Sequence, residues 1–413
     1  MLPGRPLDAR RLYLLIVAGS GAMQGLVVVL YALYAVRDVG LSPLQLMIIG
    51  TGMEAAALLF EVPTGVVADL ISRRLSVILG YLVIALGFAL MAVPEFWSIA
   101  LGQALWGLGF TFISGAREAW LADEVGEEAA ARLYPRGARW RLTAMILGAL
   151  AGGAIGLVAP QWTFVVGAAG MAVLALGMLF AMTEHGWHPA PRGERSSWGS
   201  VRDQAVRGVQ ATRGKPALVA AFVLMALMGM SSESFDRLWG YLLIEEIGVP
   251  GGLDDVAVFT GLFVVSQLGG IAVIRAIEPW AARGARAVTT ALLLLNAAIV
   301  LSMLAFGLAP VFGVALAAYW LTVWARNAEE PFFIAWVNRG LDPATRATVL
   351  STVGQANALG QIAGGPAFGL LAQVASVRAA LSAAALVLAP ALPLYARERR
   401  RASDAAEGAG VEG

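Results

Sequence analysis

The 413-residue sequence contains no cysteine and only two histidines, His185 and His188. Without cysteine there is no disulfide, no thiolate metal ligand and no cysteine nucleophile. Two histidines exclude a three-histidine metal site, and neither lies in an apolar run where an intramembrane triad would need it. Their spacing, His185-x-x-His188, falls in a connecting segment without acidic or thiol companions, so a metal site is not expected. Charge is scarce as well. Asp, Glu, Lys and Arg make up 14% of the residues, against about 25% in a soluble globular chain. The net charge of +1 offers nothing to nucleic acid. No GxxxxGK[ST] loop is present, which argues against direct drive by ATP. The short alternating segments of a transmembrane β-barrel are missing too.

What fills the chain instead is apolar sequence. Hydrophobic residues make up 59% and mean hydropathy is +0.73. A helix needs roughly 20 apolar residues to cross a bilayer. About twelve runs of that kind occur, near residues 12–36, 44–68, 75–93, 97–122, 141–159, 162–182, 216–244, 255–277, 288–308, 311–336, 347–372 and 376–395. The expected fold class is therefore an all-α membrane protein with about twelve transmembrane helices. The first run is too long for a signal-peptide core and is read as a retained span. Tryptophans near span ends, among them Trp97, Trp162, Trp187 and Trp280, read as interfacial anchors.

Basic residues orient the spans. When successive connections are assigned to alternate sides, 23 of the 29 Lys and Arg fall on the side of the N-terminus. Only Arg37 and Arg378 fall on the other, and Arg117, Arg237, Arg275 and Arg326 lie within spans. This bias predicts a multi-pass protein of the cell membrane with both termini in the cytoplasm. The longest connection, 183–215, divides the chain six spans by six, with a short surface helix expected from about Ser197. The expected domains are 1–182, 183–215, 216–401 and a disordered tail, 402–413.

The two halves repeat. "YAVRDVGLS" (34–42) aligns with "LLIEEIGVP" (242–250) at an offset of 208 residues. "TG" at 51–52 meets "TG" at 260–261, and Asp69 meets Glu278, both at 209. "GAREAWLADEV" (115–125) meets "NAEEPFFIAWV" (327–337), and Gly152-Gly153 meets Gly364-Gly365, both at 212. Six-span repeats in parallel mark one transporter architecture, with the substrate near mid-membrane between the halves.

Between the second and third spans stands "GVVADLISRRLSVILG" (65–80). Its Gly65, Asp69, Arg73 and Arg74 resemble the loop motif of the major facilitator superfamily. Leu70 replaces a usual basic residue, and Ser72 replaces the second glycine. The second-half copy, "IEPWAARGARAV", keeps Glu278 and Arg283. The resemblance covers nearly the whole chain and implies the major facilitator fold. It also implies that Asp69 and Arg73 help hold the halves together on the cytoplasmic side. "EVPTGVVADL" and "SGAREAW" are similar to bacterial drug-efflux members. Arg117 lies nearer the cytoplasm than the mid-span arginine of many proton-coupled members.

Charges inside spans are the remaining signal. One at the bilayer centre costs about 2.5–3.5 kcal/mol, so such groups face a wet cavity or pair with each other. Glu233, Asp236 and Arg237 in the seventh span share one face by their spacing, as do Arg326, Glu329 and Glu330 in the tenth. Arg117 and Glu118 occupy the equivalent place in the fourth, and Glu54 and Glu61 share a face of the second. The resemblance makes spans one, four, seven and ten the cavity lining, to which the first adds Gln24, with Tyr31 and Tyr34. Pairs within a helix, Arg326 with Glu329 or Glu330 and Arg237 with Glu233, would merely fix packing. Each cluster, however, has two acids and one arginine, and a buried carboxylate left over holds its proton more tightly.

The sequence thus predicts a secondary active transporter working by alternating access. The mode favoured is proton-coupled efflux of a small amphipathic or cationic compound. The alternative is a proton-coupled importer of a small nutrient. Protons are the expected coupling ion, the bilayer the expected surroundings and a monomer the expected state. No cofactor, metal, nucleic-acid partner or enzymatic activity is expected.

Overall fold

The computed structural model describes residues 8–189, 199, 216–339 and 343–411. The surface helix expected from Ser197 lies outside these residues, apart from Gly199. Among them there is no strand. A chain in lipid must satisfy its backbone groups within each segment, and the helix does so.

Twelve helical segments follow in order. They are α1 (Ala9–Asp38), α2 (Pro43–Leu70), α3 (Arg73–Met91), α4 (Phe96–Val125), α5 (Glu127–Gly156) and α6 (Gln161–Ala181). After the long connection come α7 (Pro216–Tyr241, continued by Leu242–Ile247), α8 (Asp255–Ala281), α9 (Ala285–Gly307) and α10 (Phe312–Val337). The last are α11 (Pro343–Val374) and α12 (Val377–Leu388, continued by Ala391–Val411). Among the described residues, nine helices are long and apolar enough to cross a membrane by themselves. The other three, α5, α10 and α11, carry arginines, acids or amides within their runs.

Two features depart from the sequence expectation. α4 is two helices, Phe96–Ile113 and Ala116–Val125, broken where Gly115 takes φ +76°. That left-handed conformation favours glycine, so "SG" works as a hinge between two rods. The last helix runs to Val411, past Arg401, where composition predicts order to end.

The described residues form two compact units. One comprises residues up to Leu41, Ile49–Arg202 and Asp254–Phe263; the other comprises Ser42–Ile48, Asp203–Leu253 and Val264 onward. They are not the plain sequence halves, because α2 and α8 each begin in the other unit. In the first unit, Thr260 of α8 packs against Gly153 of α5. In the second, Met47 and Leu44 of α2 pack against Gly369 of α11.

Within each unit the same pairings recur: α1 on α5 and α3 on α4, then α7 on α11 and α9 on α10. Glycine sets the closest of them. A Cβ on Gly25 would stand 1.9 Å from the Met145 carbonyl oxygen, and one on Gly148 would stand 1.9 Å from that of Ala22. In the second unit, Gly229 meets the Asn357 carbonyl at 2.1 Å and Gly360 meets that of Ala226 at 2.2 Å. Without a hydrophobic drive in lipid, helices associate through such close backbone approach. The repeated sequences at 34–42 and 242–250 also fold alike. Tyr34–Asp38 and Leu242–Ile247 are both π turns, ended by left-handed Gly40 and Gly248.

Candidate functional site

The second unit builds the most concentrated polar site. Arg326 of α10 reaches across to Asp236 of α7 as a two-pronged pair, Nη1 to Oδ1 at 2.6 Å and Nη2 to Oδ2 at 2.8 Å. A planar guanidinium matches both carboxylate oxygens in this way. The pair is partly open, with side chains 27% and 51% exposed. The guanidinium carbon also lies 5.6 Å from the ring centre of Phe235. Arg326 therefore pairs across helices with Asp236 rather than with Glu329 or Glu330 of its own helix. Arg237 does pair within its helix, donating to Glu233 at 3.0 Å; Glu233 is buried and Arg237 half-buried. Asp236 and Glu233 accordingly occupy different surroundings.

The two acids after Arg326 separate as well. Glu330 is exposed, whereas Glu329 is fully buried beside Asn296 of α9 and Tyr395 of α12. Pro331 sits inside α10 without ending it.

An aromatic group adjoins the Asp236–Arg326 pair. The Phe235 and Tyr319 rings stack at 5.8 Å, Trp239 lies 4.7 Å from Tyr319, and Phe306 closes edge-on at 5.6 Å from Phe235. Sequence reasoning passed over these rings. Phe235 and Trp239 stand beside the charges in "SSESFDRLWG", four residues apart, and that spacing was the available signal.

In the first unit, Arg117 lies just past the Gly115 break. It donates to Glu118 through Nε and Nη2 at 3.0 and 2.5 Å, and through Nη1 to the Tyr81 hydroxyl at 3.3 Å. Tyr134 of α5 donates to the Glu118 carbonyl, and its ring meets Tyr13 of α1 edge-on. Gln24 and Glu54 are half-buried and Glu61 is exposed. Tyr34 is buried and donates to the Ala92 carbonyl at 3.1 Å.

On the arginine-rich side, Arg73 pairs with Asp123 of α4, inside the first unit. Ser72, standing where the motif has its second glycine, caps α3 by accepting from Leu75 N at 2.9 Å. Its hydroxyl also donates to Glu184 at 2.6 Å, which accepts from Arg74 N as well. Glu124 accepts from Thr183, His185 N and Gly186 N. The start of the long connection is thereby pinned to α3 and α4. Gly65 and Asp69 are half-buried at the end of α2. His185 and His188 are exposed in this segment, and no group of three His, Asp or Glu gathers as a metal set among the described residues.

The description of the Major Facilitator Superfamily matches residues 13–324, well over half of the chain. The chain belongs to this superfamily. It is a multi-pass membrane transporter of that type. It is 30% identical over 111 residues to an uncharacterized MFS-type transporter, YxaM, of Bacillus subtilis (strain 168). That match spans 27% of this chain and only 28% of the relative. Several solved structures share the fold at low identity. The nucleoside transporter NupG superposes with a TM-score of 0.72 at 15% identity, over 95% of this chain and 99% of that one. A bacterial homolog of the human lysosomal transporter Spinster, inward-facing and unoccupied, gives 0.72 at 14%, over 96% and 97%. A POT family transporter in complex with 5-aminolevulinic acid gives 0.71 at 15%, over 97% and 98%.

Proposed function

We propose that this superfamily member is a secondary active transporter that works by alternating access and exports a small amphipathic or cationic compound in exchange for protons. The observation that carries this reading is the Asp236–Arg326 pair, partly open yet placed within two membrane helices. A charge pair exposed to lipid there would be costly, so its open side faces water. Aromatic faces beside a carboxylate suit a cation with apolar substituents, through ring–cation attraction and charge. In this reading Arg326 holds Asp236 when the site is empty, and a bound cation takes its place. Glu118 with Arg117 in the first unit, and Glu233 with Arg237 in the second, are the further polar groups of the pathway in this reading. Asp69, Arg73 and Arg74 serve as the gating loop.

The test is flux of tetraphenylphosphonium in proteoliposomes under an imposed proton gradient. Wild type moves the cation against the direction of proton flow, and Asp236→Asn loses that movement while still eluting as a folded, monodisperse species. Movement together with the protons would mean import. No gradient-driven movement in either direction would count against cation export.

A further inference from the structure

The apolar run read from the sequence for α5 begins near residue 141, but the helix itself begins at Glu127. Its 30 residues span about 45 Å at a rise of about 1.5 Å each. A hydrocarbon core of about 30 Å takes up roughly 20 of them. Counted back from Gly156, those end at Gly137, and residues 142–156 contain no charge. Arg136 and Arg139 therefore stand at the level of the lipid head groups, on a helix rather than in a loop.

One face of this part of α5 is uncovered. Arg136, Arg139 and Thr143 are exposed, and Trp140, Leu147 and Leu150 are 51%, 61% and 49% exposed. Steps of three and four residues keep all six on one side of the helix. The opposite side is closed by α1. A Cβ on Gly137 would stand 2.7 Å from the Tyr13 ring, and one on Gly152 would stand 2.5 Å from the Leu26 carbonyl oxygen. Leucines left open on a membrane helix meet acyl chains, which are as apolar as they are. The stripe thus passes from acyl chains at Leu150 and Leu147 to head groups at Arg139 and Arg136. Trp140 lies at the boundary, the level that tryptophan favours.

The two arginines are also uncommitted. Elsewhere in the same unit Arg73 has Asp123 and Arg117 has Glu118, and Arg132, one turn before Arg136, has Glu128 at 2.6 Å. Neither Arg136 nor Arg139 has an ion-pair partner among the described residues. The acids of α5, Glu127 and Glu128, both lie in its first turn. Residues three apart on a helix have Cβ atoms about 5–6 Å from each other. Two guanidinium forks on such stems can close on one phosphate, which their planar donors match. A zwitterionic head group brings its own ammonium against them, and an anionic one does not.

We propose that Arg136, Arg139 and Trp140 form a head-group site for one anionic phospholipid, with an acyl chain laid along Thr143, Leu147 and Leu150. The site belongs to the first unit and does not depend on what the protein carries or in which direction.

Native mass spectrometry of the full chain in detergent reads the site. Wild type should retain dioleoyl phosphatidylglycerol in preference to dioleoyl phosphatidylcholine, since the two share their acyl chains and differ in head-group charge. Arg136→Gln combined with Arg139→Gln should bind phosphatidylglycerol about thirtyfold more weakly, the effect of removing two basic groups beside an anionic lipid. Arg283→Gln combined with Arg286→Gln removes an equal charge from exposed positions around the start of α9, and should leave binding unchanged. Should the first double variant fail to fold, Arg139→Gln alone carries the test at about fivefold. Glycerol phosphate in excess should not displace the lipid, because the acyl contact along α5 is missing from it. No preference for phosphatidylglycerol would overturn the proposal. Equal losses from the two arginine pairs would replace it with diffuse surface charge, and displacement by glycerol phosphate would replace it with a site for free phosphate.

Discussion

Arg326 and Asp236 stabilise each other only as a pair, and that makes their energetics measurable without a substrate. Removing either partner leaves the other charge within the membrane helices without its counter-ion. Arg326→Ala and Asp236→Ala should each lower the melting temperature in detergent. The double variant should lose less than the sum, with a coupling of about 0.5–3 kcal/mol in a double-mutant cycle. Additive losses would mean that the pair does not hold α7 to α10. The charges were readable from the sequence because they interrupt otherwise apolar runs. Their pairing was not, since Asp236 and Arg326 lie 90 residues apart. Within-helix spacing pointed Arg326 to Glu329 or Glu330, and tertiary geometry chose otherwise. Asn296 and Tyr395 were invisible for another reason: one neutral residue in an apolar run leaves no pattern.

Helix existence followed from length and apolarity, and each of the twelve predicted runs falls on a described helix, overrunning its ends by three residues at most. What hydropathy does not report is how closely two helices approach, or where one breaks. Gly115 carries no apolar signal, yet it turns α4 into two rods. The glycines at α1–α5 and α7–α11 likewise look like ordinary membrane composition until their partners are known. Gly360 distinguishes packing from mere helix propensity. Its Cβ would meet the Ala226 backbone oxygen at 2.2 Å, whereas one on Gly354 of the same helix meets nothing within 4 Å. Gly360→Leu should therefore cost about 1–3 kcal/mol or more through overpacking, read as a lower melting temperature and poorer yield. Gly354→Ala should be neutral or stabilising by up to about 1 kcal/mol, since alanine favours the helix. Equal effects at the two positions would remove close backbone approach as the basis of the α7–α11 contact.

The repeat first seen as scattered matches extends through the fold as paired packing. Gly25 and Gly229 are 204 residues apart, and the residues they touch, Met145 and Asn357, are 212 apart. Gly148 and Gly360, with Ala22 and Ala226, keep the same two offsets. Each unit thus rebuilds one design. The arginine bias predicts the cytoplasmic side for both termini. The two exceptions to that bias are already neutralised, Arg37 by Asp255 and Arg378 by Glu246 at 2.9 Å. Arg378 also donates to the carbonyls of Gly307 and Ala309 at the end of α9. The missing cysteines turn the orientation into a clean measurement, because a single introduced thiol has no background. Gly251→Cys, between α7 and α8, should react with a membrane-impermeant maleimide on intact cells. Arg400→Cys, on α12, should react only after the membrane is opened. The reverse pattern would invert the assigned orientation. Labelling of both on intact cells would mean that an even number of crossings separates the two, which would break the six-by-six arrangement.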